Sequence, residues 1–103
     1  MFHNKWSDYN QTCSISQALH FRLIENYKKK YGNDVENFPV DDNYIFLYIG
    51  YHLQEAGLVS EFPRTYLNLE FIEKKIMYFG AADLLLDFKR YKHMIATVNI
   101  LMK

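Results

Sequence analysis

Residues 44–57, YIFLYIGYHLQEAG, hold the run whose reading decides the fold. An unbroken apolar and aromatic segment suits a buried strand as well as a helix buried on every side, because periodicity alone does not separate the two. Length and punctuation do. The pattern continues through Gln54, Glu55 and Ala56 to Gly57, about four helical turns, with Asp41 or Asp42 placed to cap its start and Gly57 its end. A helix is expected. Because its apolar residues cover all sides, it is expected in the middle of the fold.

Upstream, a polar loop at residues 33–41, NDVENFPVD, is punctuated by Pro39. Before it, Ile15, Leu19, Leu23, Tyr27 and Tyr31 recur every four residues, widened by Ile24, which predicts a helix over residues 14–31. Gly32 terminates it, and Lys28, Lys29 and Lys30 suit the negative end of the helix dipole. That lysine run reads as a solvated last turn, with a phosphate-binding patch as the alternative. Residues 1–13 show no sustained period, and Phe2, Trp6 and Tyr9 in an otherwise polar lead suggest an irregular anchor ahead of a helical domain at residues 14–103.

Downstream, Ser60 is placed to cap a short helix over residues 61–67, with Pro63 tolerated in its first turn, where backbone donors are unpaired anyway. Asn68 then caps residues 69–80, LEFIEKKIMYFG, with Glu70 and Glu73 early and Lys74 and Lys75 later. Its core face is expected to be Leu69, Ile72, Ile76 and Phe79, and Gly80 ends it. The last helix carries Leu84, Phe88, Tyr91, Ile95, Val98 and Met102 on one stripe. The expected architecture is all-α, with about five helices in antiparallel hairpins, as an arm-like superhelical stack or a small bundle.

A chain of 103 residues fits one domain and is long enough to bury a real core. Twelve basic and twelve acidic residues balance, which argues against a dominant electrostatic partner such as nucleic acid or an anionic membrane. Cys13 has no internal partner for a disulfide, and no signal peptide or membrane span is evident, so a cytoplasmic setting is expected. The aromatic content, nine Tyr and eight Phe, suits a tight core or an interface.

Few residues suggest chemistry. Asp83 and Asp87, four apart after Gly80, flank the last apolar stripe and are expected to face solvent or a groove. Asp83 would favour the helix dipole and Asp87 would pair with Arg90. The histidines His3, His20, His52 and His93 are scattered, and only His52 with Glu55 three residues on is tight. His52 reads as a hydrogen-bonded core or interface histidine. Gly50, Gly57 and Gly80 are isolated and form no phosphate loop, no hydrolase order of Ser, His and acid appears, and Cys13 reads as a non-functional thiol. No catalytic residue, metal site or cofactor is expected. Tyr44, Tyr48 and Tyr51 lie near one another on the central helix, while Phe71, Lys75 and Tyr78 make a second face on the penultimate one. Helices with two apolar faces suit stacked arrays. Tyr48, His52, Phe71, Tyr78, Phe88 and Tyr91 are therefore the candidates for packing or docking.

The run at residues 69–95, LEFIEKKIMYFGAADLLLDFKRYKHMI, resembles the helical arm domain of the apoptotic protease-activating factor family, the adaptors that assemble the apoptosome. Leu69, Phe71, Ile72, Lys75, Gly80, Ala82, Leu84, Phe88, Tyr91 and His93 carry the likeness. It extends backward through YIFLYIGYHLQEAGLVSE, with Tyr51 and His52, and CSISQALHFRLIENYKKKYG, with Cys13, Leu19, His20, Ile24 and Tyr31. Ala81 where a proline is often found, Pro63 in a stretch usually helical, and the loop from Asn33 to Pro39 depart from the pattern. The resemblance implies a non-catalytic superhelical spacer between a nucleotide-binding and winged-helix core and WD-repeat propellers, in an adaptor that recruits caspases. A free-standing helical protein–protein interaction module using the Tyr-rich face is the alternative. A metal or nucleic-acid site built from His52, Glu55, Asp83, Asp87 or the lysine run is a third.

Overall fold

A computed structural model describes the backbone of residues 5–101 and the side chains of residues 15–96. The readings that involve Cys13, Val98 and Met102 as side chains lie outside the described residues. The described chain is all-helical: α1 (Lys5–Tyr31), a 3₁₀ turn (Val35–Asn37), α2 (Ile45–Glu55), α3 (Glu61–Tyr66), α4 (Leu69–Phe79) and α5 (Ala81–Leu101). The helix at residues 5–13 corrects the expected irregular anchor, because α1 is already formed well before Ser14.

The decisive run is a helix, and both ends are chemically fixed. The Asp42 carboxylate accepts from the backbone N–H of Tyr44 at 2.9 Å and of Ile45 at 3.4 Å, satisfying donors that the first turn leaves unpaired. At the other end Gly57 has φ +76°, Leu58 N–H donates to Leu53 O at 2.9 Å, and Gly57 N–H donates to Gln54 O at 3.1 Å. Those two bonds with a left-handed residue between them are a Schellman closure. Ile45, Phe46, Ile49 and Leu53 are buried, so α2 occupies the centre of the fold, although Tyr48 and Tyr51 on its outer side are exposed. The helix is amphipathic and not apolar all round.

Around α2, α1 packs along one side, while α3, α4 and α5 form a cluster on the other in which α5 meets both α3 and α4. Ile24 is fully buried and Leu23, Tyr27 and Tyr31 partly so, but Ile15 and Leu19 are exposed, against their expected place on the core stripe. For Ile15 the reason is length. The Gln17 amide already donates to the carbonyl of Ala56, the residue that closes α2, so Ile15 lies beyond the end of the helix that would cover it. Phe38, from the loop, fills the other end of this contact by packing its ring against Tyr27 and Tyr31.

Ser60 precedes α3 as expected, yet its side chain makes no capping bond, because its own backbone is already helical (φ −67°, ψ −16°). Asn68 does cap α4, accepting from Phe71 N–H at 2.9 Å. Asn68→Ala is expected to lower unfolding free energy by about 1 kcal/mol, read as a reduced urea midpoint at unchanged slope. Gly80, at φ +93°, breaks the chain between α4 and α5 and folds them into a hairpin. α5 is not one smooth rod: Tyr91 leaves helical geometry (φ −114°, ψ 18°) where its ring packs over Gly50 of α2 and against Phe62. Its stripe of Leu84, Tyr91 and Ile95 is buried and Phe88 packs against the same core.

The orientation of α4 is the main correction. Leu69 and Ile76, expected in the core, are exposed, with Ile72 and Phe79 only partly buried, while Phe71 and Lys75 are fully buried. A face chosen by counting apolar residues excludes a lysine. Here the lysine turns inward because its charge is met there.

Candidate functional site

Lys75 lies on α4 one turn after Phe71, whose ring stacks on Phe46 of α2 at 4.9 Å. That packing points the lysine stem into the space between α2, α3, α4 and α5. Its ammonium meets three oxygens: Phe46 O at 2.6 Å, Asp83 Oδ2 at 2.9 Å and Asp87 Oδ2 at 3.2 Å. The ammonium donates to the Phe46 carbonyl and holds the two carboxylates as ion pairs. The carbonyl of Phe46 belongs to the first turn of α2, so the lysine ties α4 to α2 and α5 at one atom.

The aspartates are equally specific. Asp87 is 3% exposed, against the expectation that it faces solvent or a groove, and its Oδ2 also accepts from the Tyr66 hydroxyl at 2.8 Å. Its Oδ1 lies 3.5 Å from Arg90, the one pairing foreseen. Asp83 keeps its first-turn position on α5 and part of its side chain reaches solvent, but Oδ2 is buried without a hydrogen bond, its charge held by the ion pair with Lys75 alone. Two carboxylates therefore face one buried cation and one exposed guanidinium, and the cluster is neutral. Burial, with the Asp87 charge behind it, pushes the Tyr66 phenol far above its ordinary range, and the same two causes raise Tyr91. Tyr66 is therefore a fixed donor. Lys75 is fully buried, and its contacts hold helices together.

Sequence reasoning missed this centre, although it left a trace. Lys75 stands five residues before Gly80, and Asp83 and Asp87 three and seven after it. An antiparallel hairpin that pivots on Gly80 brings positions equidistant from the pivot together, so Lys75 falls between the two acids. Gly50, read as an isolated glycine, was missed for a similar reason. A Cβ there would meet the ring of Tyr91 and lie 2.7 Å from the Tyr66 hydroxyl.

A second polar cluster sits between α1 and α2. His52 is buried, with its Nδ1 2.8 Å from His20 Nδ1 and its Nε2 2.6 Å from the Tyr44 hydroxyl. Burial, then the neighbouring His20, holds His52 below the usual histidine range. Nearer the other end of α1, Tyr27 donates to Asp42 at 2.8 Å, and burial with this bond pushes its phenol up to about 12.

The six candidate docking residues do not converge. His52, Phe71 and Tyr91 are buried and Phe88 packs its ring edge against Tyr66, while Tyr48 and Tyr78 are exposed on different helices. Lys28 of the lysine run turns toward Glu25 and Glu61 at 3.9 and 3.8 Å, and Lys30 lies over the Tyr31 ring. His52 and Glu55 are not joined by Asp83 or Asp87: among the described residues no three His, Cys, Asp or Glu side chains group as metal ligands. No helix among the described residues is long and apolar enough to cross a membrane. The outer surfaces of α4 and α5 leave Leu69, Ile76, Met77, Tyr78, Leu85 and Leu86 exposed.

The profile of the APAF-1 helical domain matches residues 16–102, nearly the whole chain. The chain belongs to the APAF-1 helical domain family. Apoptotic protease-activating factor 1 of Danio rerio is 26% identical over 82 residues, a match that takes in 79% of this chain and 6% of that protein. The chain thus spans a small fraction of its relative's length. No solved structure matches. In this APAF-1-type helical domain, the resemblance seen around the Gly80 joint coincides with the buried centre, since Phe71, Lys75, Leu84, Phe88 and Tyr91 all pack there or beside it.

Proposed function

We propose that this chain is a non-catalytic helical spacer of an apoptosome-type adaptor, a rigid arm that transmits position between a nucleotide-binding and winged-helix core and WD-repeat propellers. Caspase activation is then a property of the whole adaptor, and the setting is cytoplasmic. Family membership supports the adaptor context. The observation that carries the mechanical part is the Lys75 ammonium, which links α2, α4 and α5 at distances of 2.6 to 3.2 Å, with Tyr66 of α3 joined through Asp87. Four helices locked through one buried charge resist sliding, because moving any one exposes an uncompensated ion. A spacer requires that resistance.

Sequencing the transcript on both sides of this chain tests the proposal. A phosphate-binding loop module upstream and WD repeats downstream support it, and stop codons directly at both ends contradict it.

The exposed Tyr48 and Tyr78 favour a second reading, a free-standing helical interaction module. Tyr48→Ala and Tyr78→Ala are each expected to change unfolding free energy by less than about 0.5 kcal/mol. Under this reading, either variant abolishes capture of a specific partner by a chain that remains folded. Undiminished capture by both removes it.

A further inference from the structure

The two imidazoles between α1 and α2 face each other nitrogen to nitrogen, His20 Nδ1 to His52 Nδ1 at 2.8 Å. At that separation one nitrogen donates and the other accepts, so the line between them holds one proton. The neutral pair satisfies this in either tautomer: His52 accepts at Nε2 from Tyr44 and donates to His20, or donates to Tyr44 and accepts from His20. A first added proton is also accommodated, as an imidazolium donating into the bare nitrogen of its neighbour. A second is not. With both rings fully protonated, N–H confronts N–H and two positive charges sit in contact.

We propose that this shared proton is an acid-sensitive clamp: the doubly protonated His20–His52 pair releases residues 15–23 of α1 from α2. The surroundings supply no charge to relieve the repulsion. The groups that face His52 are His20 from α1, the Tyr44 hydroxyl from the turn ahead of α2, and the Tyr51 ring from α2 itself, which also packs edge-on against His20. Among the described residues no carboxylate lies within ion-pair distance of either ring, and Glu55, one turn along α2, is exposed.

The sign follows from burial. His52 binds its proton more weakly in the fold than in the unfolded chain, so stability present above the ordinary value of about 6.5 is lost as pH falls below it. The effect is local because of topology. Around His20 the contacts of α1 with the body run through α2: the His20–His52 pair itself, the His20–Tyr51 ring contact and the Gln17–Ala56 bond. Tyr27 and Tyr31 farther along remain anchored by Phe38 and Asp42.

Amide hydrogen exchange of the 103-residue chain, corrected for the intrinsic pH dependence, tests the clamp. Protection at residues 15–23 is expected to fall at least about tenfold between pH 7.5 and pH 5.0. Protection in α4 is expected to change far less. His20→Asn places an amide at the same δ position, able to donate to a neutral His52 or accept from a charged one, and is expected to show a clearly smaller loss than the wild type, the remainder arising from burial of His52 itself. A wild-type change below twofold, or an equal loss in His20→Asn, overturns the proposal. Imidazole nitrogen chemical shifts of His52 in the wild type provide a second measure: its titration is expected below the ordinary histidine value. Titration of His52 at or above that value contradicts the clamp even if His20→Asn folds poorly.

Discussion

Asp87→Ala is expected to cost about 3–5 kcal/mol of unfolding free energy, because it strips a buried ammonium of its most enclosed counter-ion. Asp83 remains at 2.9 Å, but its side chain is 34% exposed against 4% for Asp87, so its solvated charge does not replace what is lost. The Tyr66 hydroxyl, fully buried, is orphaned at the same time. Set against a typical total of 5–15 kcal/mol, the loss leaves a chain near the edge of folding. The complementary result separates charge pairing from mere packing. Lys75→Met combined with Asp87→Leu removes the uncompensated ammonium and is expected to recover only part of the loss relative to Asp87→Leu alone, because the Tyr66 hydroxyl and the Asp83 carboxylate are then left without their partners. Urea unfolding of the two single variants and the double gives the coupling directly. A coupling below about 0.5 kcal/mol would show that Lys75 and Asp87 are neighbours without being partners.

The second large effect is expected at Gly50. Alanine is ordinarily the better helix former by about 1 kcal/mol, so a substitution in the middle of α2 is, by propensity alone, stabilising. Here the added methyl meets Tyr91, with Cδ2 at 2.9 Å, and the Tyr66 hydroxyl at 2.7 Å. Both rings are buried, and Tyr66 is held by its bond to Asp87, so neither has an easy exit. Overpacking of this kind costs typically 1–3 kcal/mol, and the additional disturbance of the Tyr66–Asp87 bond places Gly50→Ala at the upper end. A melting temperature lowered by about 8 °C or more is expected for a domain of this size. An unchanged or raised value would mean that α2 and α5 are farther apart than the close approach at Gly50 indicates.

These two positions also mark where sequence reading succeeds and where it stops. The helical elements were legible because their ends are chemically punctuated: Gly32, Gly57 and Gly80 carry the positive φ that closes α1, α2 and α4, and Asn68 supplies a cap with a side-chain bond. Stripes on α5 were legible too, since Leu84, Tyr91 and Ile95 bury as their spacing implies. The rotation of α4 was not. Hydrophobicity ranks Leu69 and Ile76 above Lys75, but the ranking contains no information on whether a lysine finds its anion inside. That information lies in Asp83 and Asp87 across the hairpin, and it becomes visible only when Gly80 is treated as a pivot. Similarly, the candidate residues Tyr48 and Tyr78 share a chemistry without sharing a surface, because aromatic spacing along one helix does not specify which helix it will meet. The start of α1 was obscured by polar residues, which carry no apolar period even where they are helical.

The apolar groups left outside on α4 and α5 fit the arm reading in physical terms. An isolated globule seldom leaves Leu69, Met77 and Leu85 each more than 60% exposed, whereas a helix pair in a longer stack presents such faces to its neighbours.

α2, α4 and α5 are joined into one body through the buried Lys75 and its carboxylate partners. Hydrogen exchange of the native chain across a series of low urea concentrations tests it most directly, since cooperative units reveal themselves as amides whose opening free energies converge. The account predicts that amides of Ile49 and Leu53 in α2, Lys75 and Ile76 in α4, and Phe88 and Tyr91 in α5 follow one urea-dependent opening at the global free energy of unfolding. An α4–α5 hairpin that opens separately, with a lower free energy than α2, would contradict it.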